Sequence, residues 1–115
     1  MKNLVIIFKA LSDKNRVRII KMLESRSLCL CEITAILNLA PSTVSKHLSI
    51  LKQAGLIMDD KQGKWVNFRL NESPESVYIL ELLGLLKKWA NNDMGIQKDT
   101  KSVEKVDRKD ICGTD

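Results

Sequence analysis

Apolar residues recur at spacings of three and four along the first half of the chain, a pattern typical of helices packed on a core. The spacing predicts four helices, at about residues 3–11, 13–24, 31–37 and 41–54. The first helix is apolar nearly all round, which indicates burial against a partner as well as against the core. The fourth helix follows a three-residue turn and begins at Pro41, a residue suited to a first helical turn.

The pattern changes after Gly55, which is placed to end the fourth helix in a left-handed conformation. Apolar and polar residues then alternate over 65–70, which predicts the second strand of a β-hairpin with its turn at about residues 60–63. The segment before the first turn of the third helix, residues 25–28, reads as a connector. A last, leucine-rich helix is predicted over residues 75–91.

The order of these elements predicts a winged helix-turn-helix, a mainly α fold with a small β-hairpin. Residues 1–93 would form one domain for DNA binding and dimerisation, because a chain of 115 residues rarely fills two cores. Residues 94–115 are predicted to form a flexible charged tail, since mixed charges with few apolar residues bury too little surface to offset the entropy of ordering.

Basic residues outnumber acidic ones in the chain as a whole and in its central segment. The net charge is +5, and residues 41–70 carry five basic side chains against two acidic ones. Such a balance fits an anionic partner, either nucleic acid or an acidic membrane surface.

The longest apolar run, residues 4–8, is far below the roughly 18–20 residues that span a membrane. It is also too short for a signal peptide, so with three cysteines we expect a cytoplasmic chain with reduced thiols.

The fourth predicted helix has the features of a DNA-recognition helix. Val44, Leu48 and Leu51 form its buried face, and short hydroxyl side chains in its N-terminal half allow close approach to bases or phosphates. His47 would either hydrogen-bond a phosphate when protonated or pack at the side of the helix. The candidate DNA-binding residues are Ser42, Thr43, Ser45, Lys46, His47 and Ser49 in this helix, with Lys61 and Lys64 at the hairpin tip.

Cys29 and Cys31 lie one residue apart at the start of the third predicted helix. Thiolates select soft ions over magnesium or calcium, although two buried cysteines also serve as small hydrophobic residues. Residues two apart on a helix point about 200° apart, so both sulfurs could not bind one ion while the segment stays helical. Binding would therefore unwind the start of this helix and shift the recognition helix that follows it.

Three stretches of the chain carry a family resemblance. Residues 27–33 (SLCLCEI) resemble the thiol motif ELCVCDL of the arsenical-resistance repressor (ArsR) family, residues 42–56 its recognition helix and residues 60–70 its wing. Leu11-Ser12-Asp13 with Arg16 is a fourth, weaker signature. The resemblance implies a transcriptional repressor, not an enzyme, that needs no cofactor for folding and stays on double-stranded operator DNA until a thiophilic inducer binds.

The resemblance also implies the inducer and its ligands, namely arsenite or antimonite bound by Cys29 and Cys31. The family motif often has a third cysteine three residues later, where this chain has Thr34. Cys112 is a further candidate ligand; otherwise a small thiol or water completes the site. Cadmium and lead sensors add N-terminal cysteines, and zinc and nickel sensors use histidines of the last helix, and this sequence has neither.

Members of the family dimerise through their first and last helices, which correspond here to residues 4–11 and 75–91. Both stretches are more apolar than the surface of a monomer should be. The implied interface residues are Leu4, Ile7, Phe8, Leu11, Leu82 and Leu86.

Three other interpretations remain open on the sequence. In the nearest one the same fold responds to a redox signal, because Cys29 and Cys31 form a disulfide or react with oxidants or persulfides. A thiol oxidoreductase is remote, because catalytic pairs usually read Cys-x-x-Cys beside a βαβ unit. A winged helix used only for protein contacts would lack salt-dependent DNA affinity.

Overall fold

A computed structural model describes residues 2–73 and 75–107 of the chain. Over these residues the chain folds into helices on one side of a small antiparallel sheet. The helices are α1 (Lys2–Ala10), α2 (Lys14–Leu23), α3 (Leu30–Leu37), α4 (Pro41–Gln53), α5 (Val77–Leu86) and α6 (Met94–Lys105). The strands are β1 (Leu28–Cys29), β2 (Ile57–Gln62) and β3 (Trp65–Leu70). No helix of the described part is long and apolar enough to cross a membrane.

Local sequence signals set the ends of the first four helices. The Asp13 carboxylate caps α2 by accepting hydrogen bonds from the backbone N–H groups of Asn15 and Arg16. Asn38 ends α3 in the left-handed region, with φ of 57°. Gly55 follows α4 with φ of 81°, and a Cβ there would lie 2.9 Å from the Ile79 side chain. The predicted turn and glycine cap are therefore confirmed.

The core is built where α2, α3 and α4 meet the sheet. Ile20 and Ile33 are fully buried there, and the predicted inner face of α4 is buried as expected. The pairing of α3 and α4 across residues 38–40 makes the helix-turn-helix. These contacts leave the polar face of α4 exposed to solvent, because burial of the apolar face sets the orientation of the helix.

The sheet has three strands in the order β1-β3-β2, one more than the hairpin that we predicted. Residues 28 and 29, expected to be connector and helix start, pair with β3 in the register Leu28↔Phe68 and Cys29↔Asn67. A two-residue strand is too short for an alternating pattern to reveal it. The hairpin turn is also later than predicted, at residues 63–64, because β2 runs on to the pair Gln62↔Trp65.

The last part of the described chain departs from the single helix and flexible tail that we predicted. The leucine-rich helix α5 ends at Leu86, and a second helix, α6, begins at Met94 after an Asp93 cap. Ile96 and Val103 bury one narrow face of α6. Five of its twelve residues are charged and few are apolar, so its composition indicated disorder. Two apolar residues seven positions apart and the ion pair of Arg18 with Asp99 nevertheless dock it on the core. Residues 108–115 lie outside the described part.

Candidate thiol site and nucleic-acid interface

Cys29 is the N-cap residue of α3 and also belongs to β1. Its backbone is extended, with φ of −86° and ψ of 167°, and it pairs with Asn67 of β3. Its side chain is almost fully buried, at 1% exposure. The premise that both cysteines lie on one helix is therefore wrong: the helix begins at Leu30, between them. An ion cannot reach the thiol because Cys29 is buried, and not because the two cysteine side chains point in different directions from one helix.

The surroundings of Cys29 favour the neutral thiol. Burial raises the pKa of the Cys29 thiol above its ordinary value, and the nearby carboxylate of Glu32 raises it further. The backbone N–H groups of Glu32 and Cys31 lower the pKa of the thiol, but they offset only part of this rise. A folded chain at neutral pH therefore keeps Cys29 protonated, and a helix N-terminus does not by itself activate it.

Cys31, in the first turn of α3, is half-buried. It takes part in a disulfide, whereas Cys29 is a free thiol, so the chain is not in the fully reduced form that we expected from the sequence. The third candidate ligand, Cys112, lies outside the described residues. Among residues 2–73 and 75–107, no group of three His, Cys, Asp or Glu side chains is placed to hold a metal ion. The described donors are thus the free thiol of Cys29 and, once its disulfide is reduced, the thiol of Cys31, a pair that fits a thiophilic ion and no hard cation.

Thr34 stands one helical turn after Cys31, at the position of the family's third cysteine. Its hydroxyl oxygen is buried and has no hydrogen-bond partner among the described residues. A buried hydroxyl without a partner is costly. The site therefore has a polar atom in the place where a third ligand would be expected, although an oxygen is a poorer ligand than sulfur for a soft ion.

Glu32 and Arg26 are parts of this site to which sequence reasoning gave no role. Glu32 is buried, and its Oε1 accepts a hydrogen bond from the Cys29 backbone N–H over 3.0 Å, as in a capping box. Its Oε2 accepts one from Arg26 Nη2, also over 3.0 Å. A glutamate three residues after an N-cap residue is the sequence signal for a capping box. It was not recognised here because cysteine is not a usual N-cap residue.

The recognition helix α4 presents most of the predicted DNA-binding residues to solvent. The exposed ones in α4 are Ser42, Thr43, Ser45, Lys46 and Ser49. His47 instead packs at the side of the helix, where its Nδ1 lies 3.2 Å from Arg16 Nη1. Arg16 also donates from Nε to the Ala10 carbonyl over 2.7 Å, so it ties the end of α1 to α2 and α4.

The hairpin of β2 and β3, here called the wing, carries the two other predicted cations. Lys61 is exposed near the end of β2 rather than in the turn itself, and Lys64 is exposed in the turn, 5.1 Å from the centre of the Trp65 ring. The two acidic residues of this region are each near a cation: Asp59 lies 3.0 Å from Lys52, and Asp60 lies 4.0 Å from Arg69. These contacts offset the local negative charge, so the wing keeps a basic tip.

The predicted dimer residues divide into two groups. Ile7 and Leu86 are buried in the core of the single chain, so they are not available to a partner; the resemblance pointed to the helices and could not tell their inward residues from their outward ones. Leu4, Leu11 and Leu82 are half-buried, and Phe8 is 55% exposed. The exposed large apolar residues of α1 and α5 are Val5, Ile6, Phe8, Val77, Tyr78, Leu80 and Leu85.

A model of the family described as "Bacterial regulatory protein, arsR family" matches residues 13–59. The arsenical resistance operon repressor of Escherichia coli (strain K12) is 41% identical over 66 residues, which are 56% of this chain and 56% of that protein. The arsenic resistance transcriptional regulator ArsR1 of Pseudomonas putida is 40% identical over 93 residues, or 76% of this chain and 72% of that one. The chain therefore spans little more than half the length of the first relative and almost three quarters of the second.

Solved structures support the fold. The homodimeric winged helix-turn-helix DNA-binding domain of Mb0332 from Mycobacterium bovis superposes with a TM-score of 0.65 at 21% identity, covering 76% of this chain and 77% of that one. The predicted winged helix-turn-helix is confirmed, and neither the relatives nor the fold are those of enzymes. With the sequence match to ArsR1 extending over most of both chains, this protein belongs to the arsR family of bacterial regulatory proteins.

Proposed function

We propose that this chain is a homodimeric transcriptional repressor that binds double-stranded operator DNA and releases it when trivalent arsenic or antimony binds Cys29 and Cys31. One observation carries the proposal. Cys29 is at once the cap of α3, the helix that leads into α4, and a partner of β3, a strand of the wing. Both of the sequence relatives named above have arsenic resistance in their names, which supports a metalloid inducer.

The DNA-binding part of the proposal rests on α4 and the wing. The exposed hydroxyls and Lys46 at the N-terminal half of α4 suit a recognition helix in the major groove. Lys61 and Lys64 suit contacts from the wing to the phosphate backbone. Such phosphate contacts make affinity fall steeply with salt, which a winged helix used only for protein contacts would not show.

Inducer binding would act by opening the capped start of α3. Cys29 is buried and protonated, so an ion cannot engage it until the cap is displaced. Helix α3 leads through residues 38–40 directly into α4, which transmits such a displacement to the recognition helix. Shifting a two-state equilibrium from 1:99 to 99:1 takes about 5.5 kcal/mol of differential affinity, and two or three sulfur bonds to a soft ion suffice for that.

A second connection runs through the sheet. Cys29 pairs with Asn67 of β3, and the Asn67 side-chain amide donates to Gln62 Oε1 of β2 over 2.7 Å. Movement of Cys29 therefore also reaches the base of the wing turn. This route was absent from the sequence analysis, because β1 was not predicted.

The chemistry of binding is an exchange of ligands on arsenite. Each thiol that binds forms one arsenic–sulfur bond, breaks one arsenic–oxygen bond and releases one water, which carries away the thiol proton. Cys31 must be reduced for this, so the inducer-binding form is the dithiol. We propose Cys112, a small thiol or water for the remaining position on arsenic.

A redox-responsive repressor is the second candidate, and the disulfide at Cys31 favours it. Oxidation would change the start of α3 through Cys31, which is also one of the two proposed metalloid ligands. The two candidates therefore predict the same mechanical output from different signals, and the signal itself must be tested.

The decisive experiment is titration of the reduced, operator-bound protein with trivalent arsenic and antimony, and in parallel with zinc, cadmium, copper(I) and peroxide. We expect release by the two metalloids at the lowest concentrations. The variant Cys29→Ser/Cys31→Ser should still bind the operator, since serine is a good N-cap, but should no longer release it. Fluorescence anisotropy of labelled operator measures both.

Cys112→Ser separates the possible third ligand from the other two, because it removes one thiol and leaves Cys29 and Cys31 in place. It should still respond to arsenic. Release by peroxide alone would exclude the metalloid inducer and leave the redox candidate. An unchanged response of the double variant would exclude Cys29 and Cys31 as the ligands.

A further inference from the structure

Arg26 joins the C-terminal end of α6 to the start of α3. Its Nη2 lies 3.0 Å from Glu32 Oε2, and 3.0 and 3.1 Å from the carbonyl oxygens of Val103 and Val106. Val103 is in the last turn of α6, and Val106 is its C-cap residue. The last carbonyls of a helix lack helical partners and carry partial negative charge, so a guanidinium stabilises this end of α6.

The Glu32 carboxylate that Arg26 contacts also holds the start of the thiol helix. One oxygen of Glu32 accepts the Cys29 N–H, and the other accepts Arg26. Glu32 is buried, and a buried charge is costly unless it is paired. Without Arg26, the carboxylate would be less stable in its capping position. The attachment of α6 and the capped form of Cys29 therefore depend on one shared carboxylate.

We propose that Arg26 is a positioning residue that couples the docking of α6 to the closed form of the thiol site; this coupling rests on the proposed inducer function. Arg26 acts through Glu32 and favours the form in which Cys29 is capped and buried. It thereby opposes inducer binding and sets the concentration at which the operator is released. Coupling between two sites is reciprocal, so inducer binding at the cysteines loosens the C-terminal end of α6.

The middle of α6 has an anchor of its own, independent of Arg26. Arg18 Nε and Nη2 donate to the two carboxylate oxygens of Asp99 over 2.8 and 3.0 Å, which fixes α6 on α2. Asp99 is buried, as are Ile96 and Val103, which share its face of the helix. Loss of Arg26 therefore frees the end of α6 without detaching the helix, and a substitution at Arg26 leaves a folded protein to test.

The test compares Arg26→Gln with Arg26→Lys and with the control Lys105→Gln, all in the reduced full chain. Lys105 is exposed in the last turn of the same helix, so its substitution removes an equal charge without touching Glu32. Arg26→Lys keeps the charge but not the planar fork that reaches several acceptors. The readouts are the arsenite concentration for half-release of operator, the operator affinity without inducer, and amide hydrogen exchange of α3 and α6.

For Arg26→Gln we expect half-release at an arsenite concentration roughly fivefold lower, since one charge-assisted, partly exposed hydrogen-bond partner is lost. Arg26→Lys should lie between it and the parent, and Lys105→Gln should match the parent. Operator affinity without inducer should change less than about twofold. Arsenite should speed exchange at the end of α6 in the parent, but not in Cys29→Ser/Cys31→Ser.

Exchange without any inducer separates failure of the coupling from failure of the proposed function. Faster exchange at the first turn of α3 in Arg26→Gln, but not in Lys105→Gln, supports the coupling even if arsenite never releases the operator. Equal exchange at that turn in the two variants overturns the coupling. Equal half-release concentrations for Arg26→Gln and the parent overturn it as well.

Discussion

The thiol of Cys29 is controlled by its immediate neighbours rather than by its place in a motif. Burial and the Glu32 charge raise its pKa, and the adjacent backbone N–H groups offset this in part. Because only the thiolate reacts readily with soft ions and oxidants, the closed site protects Cys29 at neutral pH. The spacing of the two cysteines could be read from the sequence. The burial could not, since it depends on pairing with β3, which is 38 positions away along the chain at Asn67.

Substitution of Thr34 tests how many ligands hold the ion, again at the scale of a single residue. Thr34→Cys places a third soft ligand one turn after Cys31, so we expect half-release of the operator at an arsenite concentration at least about tenfold lower. The hydroxyl it replaces is buried without a partner, so the free energy of unfolding should fall by less than about 1 kcal/mol. Titration of the operator complex and urea unfolding measure the two effects.

Thr34→Ser is the control for that substitution, because it keeps the hydroxyl and removes only a methyl group. Its arsenite response should equal that of the parent. If Thr34→Cys responds as the parent does, the ion is not held at the first turn of α3, and the ligand assignment to Cys31 fails with it.

At the scale of elements, the sequence predicted those with strong local signals. Helices α2 and α4 were predicted from their apolar stripes, and the glycine after α4 was correctly predicted to end that helix. Strand β1 was missed because two residues carry no periodicity. Helix α6 was missed because its docking depends on Asp99, whose charge indicates a solvated surface until its partner Arg18, 81 positions away, is known.

The buried pair of Arg18 and Asp99 predicts a stability effect confined to α6. Asp99→Asn removes the charge that Arg18 contacts through two hydrogen bonds. We expect a loss of about 1–2 kcal/mol in the free energy of unfolding, below the cost of a fully buried pair because Arg18 is partly exposed. Urea unfolding of Asp99→Asn, Arg18→Gln and the double variant gives the coupling energy. Additive losses would mean that the pair does not hold α6.

Glu104→Gln is the control for α6. It removes an exposed carboxylate from the same helix and should leave the free energy of unfolding within about 0.5 kcal/mol of the parent. A loss as large as that of Asp99→Asn would show that the charge of α6, and not the contact with α2, sets the stability.

At the scale of the whole molecule, the single chain leaves an apolar surface that its own core does not cover. The exposed large apolar residues of α5 include Val77, Tyr78, Leu80 and Leu85, and Phe8 adds to them on α1. Large apolar side chains left exposed on two helices are what a partner surface would cover, so we propose that they form the dimer interface. The sequence indicated the two helices that carry this surface, but it could not tell outward residues from inward ones, since α5 is apolar on both faces.

Leu80→Glu tests whether this surface pairs two copies of the chain. Leu80 is 57% exposed, so a carboxylate there leaves the core of the single chain intact, whereas a second copy would bury it. We expect a dimer mass for the parent and a monomer mass for Leu80→Glu in sedimentation equilibrium, with an unchanged circular dichroism spectrum. Operator affinity should fall at least about a hundredfold, because a monomer loses the second half-site.

Met94→Glu, an equal change at an 84% exposed residue at the start of α6, should remain dimeric. A dimeric Leu80→Glu would place the interface elsewhere, and a monomeric parent would exclude the homodimer.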